Sequence, residues 1–163
     1  MADILGMAVV RMEATGRIRL PKTLAHSFGE LGYFRTRRDG PYYPEAQQRA
    51  GEGEPIGEIS YPYVELFSEE GIGRLSNRYT GDSLPRDDED SWKLRAFSEE
   101  LVPVSIQAKG RLVLPKAIRE HGGFSPDKPV LMLGGGECVE LWDFNTYQSA
   151  RQARKRRSEL ETD

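Results

Sequence analysis

Two arginines open the question of function, because each directly follows a glycine in nearly the same seven-residue stretch. "GRIRLPK" occupies residues 16–22 and "GRLVLPK" occupies residues 110–116. A guanidinium group carries a planar set of N–H donors that matches phosphate oxygens or a guanine edge in two-pronged hydrogen bonds. Taken alone, Arg17 and Arg111 could equally be solvated at a strand end, or Arg17 could pair with Glu13. The surrounding elements must decide between these alternatives.

The similarity between the two stretches extends over a longer unit. With a shift of 94 positions, Val10 corresponds to Val104, and further along "YVELF" (63–67) resembles "CVELW" (138–142) in the same order. Such an ordered set of matches indicates a duplicated unit. The first copy is 19 residues longer, and the extra residues fall around 35–55. That segment is rich in Gly, Pro and polar residues, which predicts an inserted loop.

Each copy predicts a strand, a tight turn, a second strand and a short helix. Gly16 and Gly110 tolerate positive φ and make the structural turn. Apolar residues alternate with polar ones along both strands, which is the period of a half-buried strand. In the first copy the residues predicted to face the core are Val10, Met12, Ala14, Ile18 and Leu20. Arg17 and Arg19 are left on the outward face, and Pro21 suits the first position of the helix.

The later part of each copy predicts a hairpin and a helix. "PVLMLGGGECVELWD" (129–143) is typical of two strands joined by a glycine turn, and "SEEGIGRLSNRY" (68–79) is typical of a helix. Between the copies, "PRDDEDSWKLRAFSEELV" (85–102) predicts a linking helix whose acidic start suits the positive end of the helix dipole. Two halves of this size would be marginal alone, so we expect them to share one core.

The predicted domain organisation follows from these elements. It comprises a first half at 7–81 containing the inserted loop, a linking helix at 82–101, a second half at 102–150, and a basic helical end or tail at 151–163. The run "RQARKRR" (151–157) in that last segment could contact nucleic acid or form the solvated end of the last helix, and we favour the second interpretation.

Composition limits the classes of function. The net charge of −3 argues weakly against a nucleic-acid partner, but what matters is where the charges lie. No apolar run approaches the roughly 20 residues of a membrane span, so no membrane partner is expected. The start "MADILGMAVV" lacks the positive charge of a secretory peptide, and one cysteine suits a reducing compartment. We therefore expect a cytoplasmic protein.

The residue types that carry catalysis or bind metals do not form a recognisable set. His26, His121 and Cys138 have no metal-ligand spacing, and two histidines near helix ends do not suggest a catalytic triad. "GGGE" (134–137) lacks the Lys and Ser or Thr of a phosphate-binding loop, so a hairpin turn is the better interpretation. We expect no enzyme, no cofactor and no small-molecule substrate.

The hairpin with Gly-Arg-[Ile/Leu]-x-Leu-Pro and a following helix resembles the swapped-hairpin fold of AbrB-type DNA-binding proteins. The tandem arrangement, with "FSEELVPVSIQAKGRLVLPKAIREHGGF" (97–124) and then "VLMLGGGECVELWD" (130–143), resembles the MraZ family more specifically. This resemblance covers about residues 7–150. It implies an α+β, mainly β fold, in which two AbrB-like swapped-hairpin halves form one pseudo-twofold β-barrel with short peripheral helices.

The resemblance also implies a function. MraZ-like proteins are transcriptional regulators, usually repressors of their own division and cell-wall gene cluster. They bind repeats in double-stranded promoter DNA and assemble into ring-shaped homo-oligomers, so nucleoid association is expected. The family motif Asp-x-x-x-Arg appears here as Glu13-x-x-x-Arg17 and Gln107-x-x-x-Arg111. Both arginines are kept, but glutamine cannot form the ion pair that aspartate would. The residues expected to contact DNA are Arg17, Arg111, Glu13, Gln107, Thr15, Lys109 and Arg19.

Two alternative functions remain open from the sequence. AbrB-like hairpins also occur in antitoxin-like modules that bind a protein partner. A ring scaffold that has lost DNA recognition is the other alternative, and the missing aspartates and the overall negative charge favour it.

Overall fold

The computed structural model describes residues 4–43, 57–80 and 88–161. Strands and short helices alternate along these ranges. The strands are β1 (Met7–Arg11), β2 (Arg17–Arg19), β3 (Leu31–Tyr42), β4 (Ile59–Ser68), β5 (Val102–Ser105), β6 (Arg111–Val113), β7 (Pro129–Gly134) and β8 (Cys138–Asp143). The helices are α1 (Lys22–Ala25), α2 (Glu69–Thr80), α3 (Asp88–Glu100), α4 (Lys116–Gly122) and α5 (Phe144–Glu161).

Across these described ranges the strands form a six-stranded antiparallel sheet and a separate two-stranded ribbon. The sheet has the order β1-β7-β8-β4-β3-β5, and the ribbon pairs β2 with β6. The order is unchanged when the two halves are exchanged, which is the pseudo-twofold symmetry expected of a duplication. The predicted α+β, mainly β fold is confirmed. The sheet curls as a half-barrel, and the ribbon is not part of its hydrogen-bonded order.

Strand pairs in the six-stranded sheet join one half of the chain to the other. β1 of the first half pairs with β7 of the second, and β5 of the second half pairs with β3 of the first. The inner face of the sheet and the inner face of the ribbon enclose one apolar core, called the inner core here. Its members include Phe34, Val64, Met132 and Leu141 from the sheet with Ile18 and Leu112 from the ribbon. Each such side chain, when fully buried, contributes roughly 1.5–3 kcal/mol.

The turn between β1 and β2 corrects two local predictions. β1 ends at Arg11; Met12 still faces the core as predicted, but Ala14 is exposed on the turn. Pro21 and Pro115 each precede the first helical residue instead of occupying it. Their extended backbone ends the second strand and directs the chain into the short helix.

The loop predicted at about 35–55 begins later than expected. β3 continues through that segment to Tyr42, and its pairing with β4 reaches the Tyr42–Ile59 pair. The sequence signal was misleading because Gly40 and Pro41 lie within the strand beside a register shift. The part of the predicted loop at 44–56 lies outside the described residues, as do 82–87 of the linking segment. Helix α3 follows within that segment, and the division into two halves stays a prediction.

Two carboxylates meet across the central strand pair. Glu65 of β4 and Glu140 of β8 are directly opposite each other on the outer face of the sheet. Partial burial raises the pKa of Glu140, while a hydrogen bond donated by Trp142 Nε1 to Glu140 Oε1 at 2.9 Å opposes that rise. Burial also raises the pKa of Glu65, and the neighbouring Arg35 opposes it. Like charges directly opposite in a sheet are destabilising.

The Glu140→Gln variant should be more stable than the parent at neutral pH, by about 0.2–1 kcal/mol, because it removes one charge of this pair and keeps the acceptor for Trp142. Since the folded-state pKa lies above the ordinary value of 4.5, the folded protein holds this proton more tightly than the unfolded chain. The free energy of unfolding should therefore fall as pH rises from the ordinary pKa through the folded pKa. Urea unfolding at a series of pH values should show a smaller fall in the variant.

The control for this experiment is Glu99→Gln, which removes an exposed carboxylate from α3. An equal gain in stability from both variants would indicate a general charge effect and contradict the role of the Glu65–Glu140 pair.

Gly110→Ala should lower the free energy of unfolding by about 2–3 kcal/mol, because this turn position combines strained φ with a close backbone neighbour. Gly110 has φ +76°, and a Cβ there would lie 2.8 Å from the carbonyl oxygen of Leu20. Gly16→Ala should cost less, since φ is +87° but the nearest backbone atom would be 3.3 Å away. Chemical denaturation measures both. Gly29→Ala is the matched control because a Cβ there meets nothing within 4 Å, and an equal loss in all three variants would contradict this interpretation.

Candidate nucleic-acid interface

The ribbon of β2 and β6 is built from the two copies of the opening motif. Its antiparallel register pairs Arg17 with Val113, Ile18 with Leu112, and Arg19 with Arg111. The pairing continues at each end, because the Leu20 amide donates to the Gly110 carbonyl at 2.9 Å and the Leu114 amide donates to the Gly16 carbonyl at 2.8 Å. Each turn glycine is therefore hydrogen-bonded to the other half of the chain.

Strand alternation decides which ribbon side chains face solvent. Successive side chains in a strand point to opposite faces, and the inner face is held by the burial of Ile18 and Leu112. The outer face consists of the four remaining side chains, all exposed: Arg17, Arg19, Arg111 and Val113. The predicted outward orientation of Arg17 and Arg19 is confirmed by this burial pattern.

The outer face of the ribbon concentrates positive charge. Arg19 and Arg111 are cross-strand partners, so their Cβ atoms are roughly 4.5–5.5 Å apart. Arg17 is diagonal to Arg111 across the ribbon and lies two residues before Arg19 on the same face of β2. Among the residues that the structure describes, none forms an ion pair with any of these three arginines. The repulsion between the paired arginines would be relieved by an anionic partner from outside the chain.

Each arginine is hydrogen-bonded through its backbone to the motif residue four positions earlier. The Glu13 amide donates to the Arg17 carbonyl at 2.8 Å, and the Gln107 amide donates to the Arg111 carbonyl at 2.7 Å. Each motif residue thus lies across a tight turn from its arginine. Glu13 and Gln107 are both exposed, and Glu13 makes no ion pair with Arg17 in the described structure.

The two turns differ in charge and also in backbone, because Lys109 has positive φ while its counterpart Thr15 does not. The first turn carries Glu13, Thr15 and Arg17. The second carries Gln107, Lys109 and Arg111, with Arg19 directly opposite the last of these. Lys109 is exposed and adopts the left-handed region at φ 65° and ψ 19°, which a lysine adopts only at a cost of order 1–2 kcal/mol. The second turn is therefore the more basic one, because it has a neutral glutamine where the first has a glutamate and a lysine where the first has a threonine.

The structure brings all seven predicted contact residues onto the ribbon or its two turns. It also adds Arg119 of α4, whose side chain packs against the first turn. Its Nε and Cζ atoms lie 3.4 Å from the position that a Cβ on Gly16 would occupy, and the buried Nε has no hydrogen-bond partner. No sequence signal pointed to Arg119, because the corresponding residue in the first copy is Ala25, which packs near Gly110.

No group of three or more His, Cys, Asp or Glu side chains among the described residues is arranged to hold a metal ion. None of the helices in the described ranges is long and apolar enough to cross a membrane. Burial raises the pKa of the Cys138 thiol, so this cysteine is held in its uncharged form.

No protein-family model matches the chain. Individual curated proteins do match it. The chain is 35% identical over 72 residues to "Transcriptional regulator MraZ" from Paraburkholderia phytofirmans, covering 44% of this chain and 48% of that protein. It is 34% identical over 71 residues to the protein of the same name from Burkholderia cenocepacia, covering 44% and 47%. For the namesake from Mycoplasmoides gallisepticum the identity is 26% over 90 residues, covering 55% and 61%.

The chain therefore spans about half to three-fifths of the length of the curated relatives it matches. The agreement of several relatives under one name confirms the resemblance predicted from the duplicated hairpin motif. By sequence the chain is thus similar, over less than two thirds of their length, to several proteins named transcriptional regulator MraZ.

Proposed function

We propose that this chain is a DNA-binding transcriptional regulator that contacts double-stranded promoter DNA through the β2–β6 ribbon and its two turns. The name of its relatives supports regulation of transcription. The observation that carries the proposal is the outer face of the ribbon, where three exposed arginines have no ion-pair partner among the described residues. Repression of its own division and cell-wall gene cluster, through promoter repeats, is the finer form of the proposal.

The ribbon has a shape and a chemistry suited to this role. The major groove of B-DNA is about 12 Å wide and admits a two-stranded β-ribbon. Arginine is the side chain best able to form two-pronged contacts with guanine or phosphate. Because Ile18 and Leu112 anchor the ribbon in the inner core, the arginines are carried on a rigid element instead of a free loop.

Assembly belongs to the same proposal. A ring-shaped homo-oligomer would place several ribbons along repeated promoter sites, and linked weak contacts give a much higher overall affinity than any one alone. A DNA-bound regulator of this kind would act in the cytoplasm at the nucleoid.

The Arg17→Ala/Arg111→Ala double variant should bind the duplex upstream of its own gene at least about tenfold more weakly, since each two-pronged contact is worth roughly 1–3 kcal/mol. The dependence of log affinity on log salt should also become less steep, by about two if both arginines contact phosphates. Fluorescence anisotropy at several salt concentrations measures both quantities.

Arg95→Ala, which removes an exposed arginine from α3, serves as the control and should change neither quantity. Unchanged binding by a folded double variant, or no binding by the parent protein at low salt, would contradict the proposed function. Ring assembly without DNA binding would favour a scaffold, and a stoichiometric protein partner without DNA binding would favour an antitoxin-like module.

The difference in charge between the turns makes a second expectation possible. Because Glu13 lowers the net charge of the first turn while Gln107 is neutral beside Arg111 and Lys109, the second turn should supply more of the attraction to phosphates. DNA binding by the first turn should depend more on the base sequence. The Glu13 carboxylate repels phosphates, so this turn should bind only where Arg17 makes good contacts with the duplex.

Exchanging the two motif residues one at a time should change DNA affinity in opposite directions. Glu13→Gln should raise the affinity for a shuffled duplex by about fivefold at low salt, and Gln107→Glu should lower it by a similar factor, because each changes one charge near the phosphates. Anisotropy with the shuffled and the upstream duplex measures these changes. Two variants that change affinity in the same direction, or not at all, would contradict this account of the turns.

A further inference from the structure

Helix α5 lies on the opposite side of the sheet from the ribbon. Met132 of β7 points into the inner core, while its neighbour Leu131 belongs to a second apolar cluster, called the outer cluster here. The outer cluster contains Leu131, Trp142 and Ala150 with Tyr61, Tyr63, Phe144 and Tyr147 packed against them. Since neighbouring residues of a strand face opposite sides of a sheet, α5 and the ribbon are separated by the sheet itself.

The long β3–β4 hairpin holds the later turns of α5 in place. Its register runs to the Tyr42–Ile59 pair, whereas the corresponding β7–β8 hairpin ends at Gly134 and Val139. Tyr42 is buried, and the Arg157 guanidinium carbon lies 4.8 Å from the centre of its ring. The extended hairpin of the first copy therefore gives the basic end of α5 a surface to pack on.

The solvent side of α5 is strongly basic. We define its basic face as the four exposed cations Arg151, Arg154, Lys155 and Arg156. The first three are spaced i, i+3 and i+4, so they are neighbours on one side of the helix. Arg156 lies at the edge of this face, about 100° round the helix from Lys155. None of the four forms an ion pair with a residue in the described ranges. Arg157 is held instead against Tyr42, and Glu159 adjoins the basic face one turn beyond Lys155.

The chemistry of the basic face fits a chain of phosphates. Three arginines and a lysine on a fixed helix suit an extended polyanion, and double-stranded DNA carries one negative charge about every 1.7 Å along its axis. A lipid surface is a poorer fit, because the apolar side of α5 is already packed on the outer cluster and is not available for insertion. The sequence favoured a solvated helix end for this run, and in the structure it is the exposed later part of α5, with Arg157 packed on Tyr42.

We propose that the basic face of α5 is a second, sequence-independent binding site for the phosphate backbone of double-stranded DNA. It goes beyond the proposed function, because it lies across the sheet from the ribbon and contacts no bases. A single chain thereby holds two duplex segments, one on each side of the sheet, so the protein bridges DNA as well as binding it.

The test uses the full chain and a variant that replaces all four cations by glutamine: Arg151→Gln/Arg154→Gln/Lys155→Gln/Arg156→Gln. Glutamine keeps the helix propensity close to that of arginine and lysine. The probes are a shuffled-sequence duplex fixed to a surface and a second, fluorescent copy of it in solution. Retention of the fluorescent duplex by the protein measures bridging, and anisotropy at several salt concentrations measures the salt dependence.

The parent protein should retain the second duplex, and the fourfold variant should not. The salt dependence of binding to the shuffled duplex should become less steep by about 3–4 in the variant, at about 0.9 for each lost phosphate contact. Its preference for the upstream duplex over the shuffled one should remain, because that preference belongs to the ribbon. Lys93→Gln/Arg95→Gln on α3 controls for a general loss of positive charge and should leave bridging intact.

Equal bridging and equal salt dependence in the parent and in a folded fourfold variant would overturn the proposal. The Arg17→Ala/Arg111→Ala variant separates this result from a failure of the ribbon. This variant should still bind the shuffled duplex through α5 with a lower, salt-sensitive affinity. That remaining binding should disappear in a variant that combines both arginine-to-alanine changes with the four glutamine replacements. If the ribbon variant keeps its preference for the upstream duplex, the function proposed for the ribbon fails, whatever α5 does.

Discussion

The pairing of β2 with β6 is the interaction on which the rest of the structure depends. Ile18 and Leu112 face each other at the centre of this ribbon and lie within the inner core. The backbone bonds at its two ends connect Leu20 to Gly110 and Leu114 to Gly16. These contacts all join one half of the chain to the other, so the ribbon exists only when both halves are folded together. The same pairing presents the arginines to solvent.

The sheet, like the ribbon, depends on pairing between the two halves. Each half contributes four strands in the described chain, too few to close a core, and its first strand pairs with the other half. This pairing leaves Glu65 and Glu140 opposite each other near the symmetry axis, where partial burial raises the pKa of both carboxyls. A duplication places identical residues at its axis, and like charges meet there as a consequence.

The two copies differ at several positions of the ribbon, its turns and α4. Glu13 corresponds to Gln107, Arg19 corresponds to Val113, and Ala25 corresponds to Arg119. These changes give the first turn a carboxylate and a packed arginine, and they leave the second turn with positive charge alone. The longer first hairpin is a further difference, and it supports the basic end of α5 through Tyr42. Symmetry thus explains the fold, and its local breaks set the charge of each surface.

Sequence alone determined the duplicated unit, the turn glycines and the outward arginines of the first motif, because these depend on local periodicity and on backbone sterics that a short segment carries itself. It also led to the fold class through the resemblance. It misjudged Ala14 and the start of the predicted loop, since the end of a strand depends on whether a partner strand is present. Only the tertiary structure placed Arg19 opposite Arg111, Arg119 beside Gly16, and α5 across the sheet from the ribbon. Those relations join residues far apart in the chain, and the packing of the two halves around one shared core decides them.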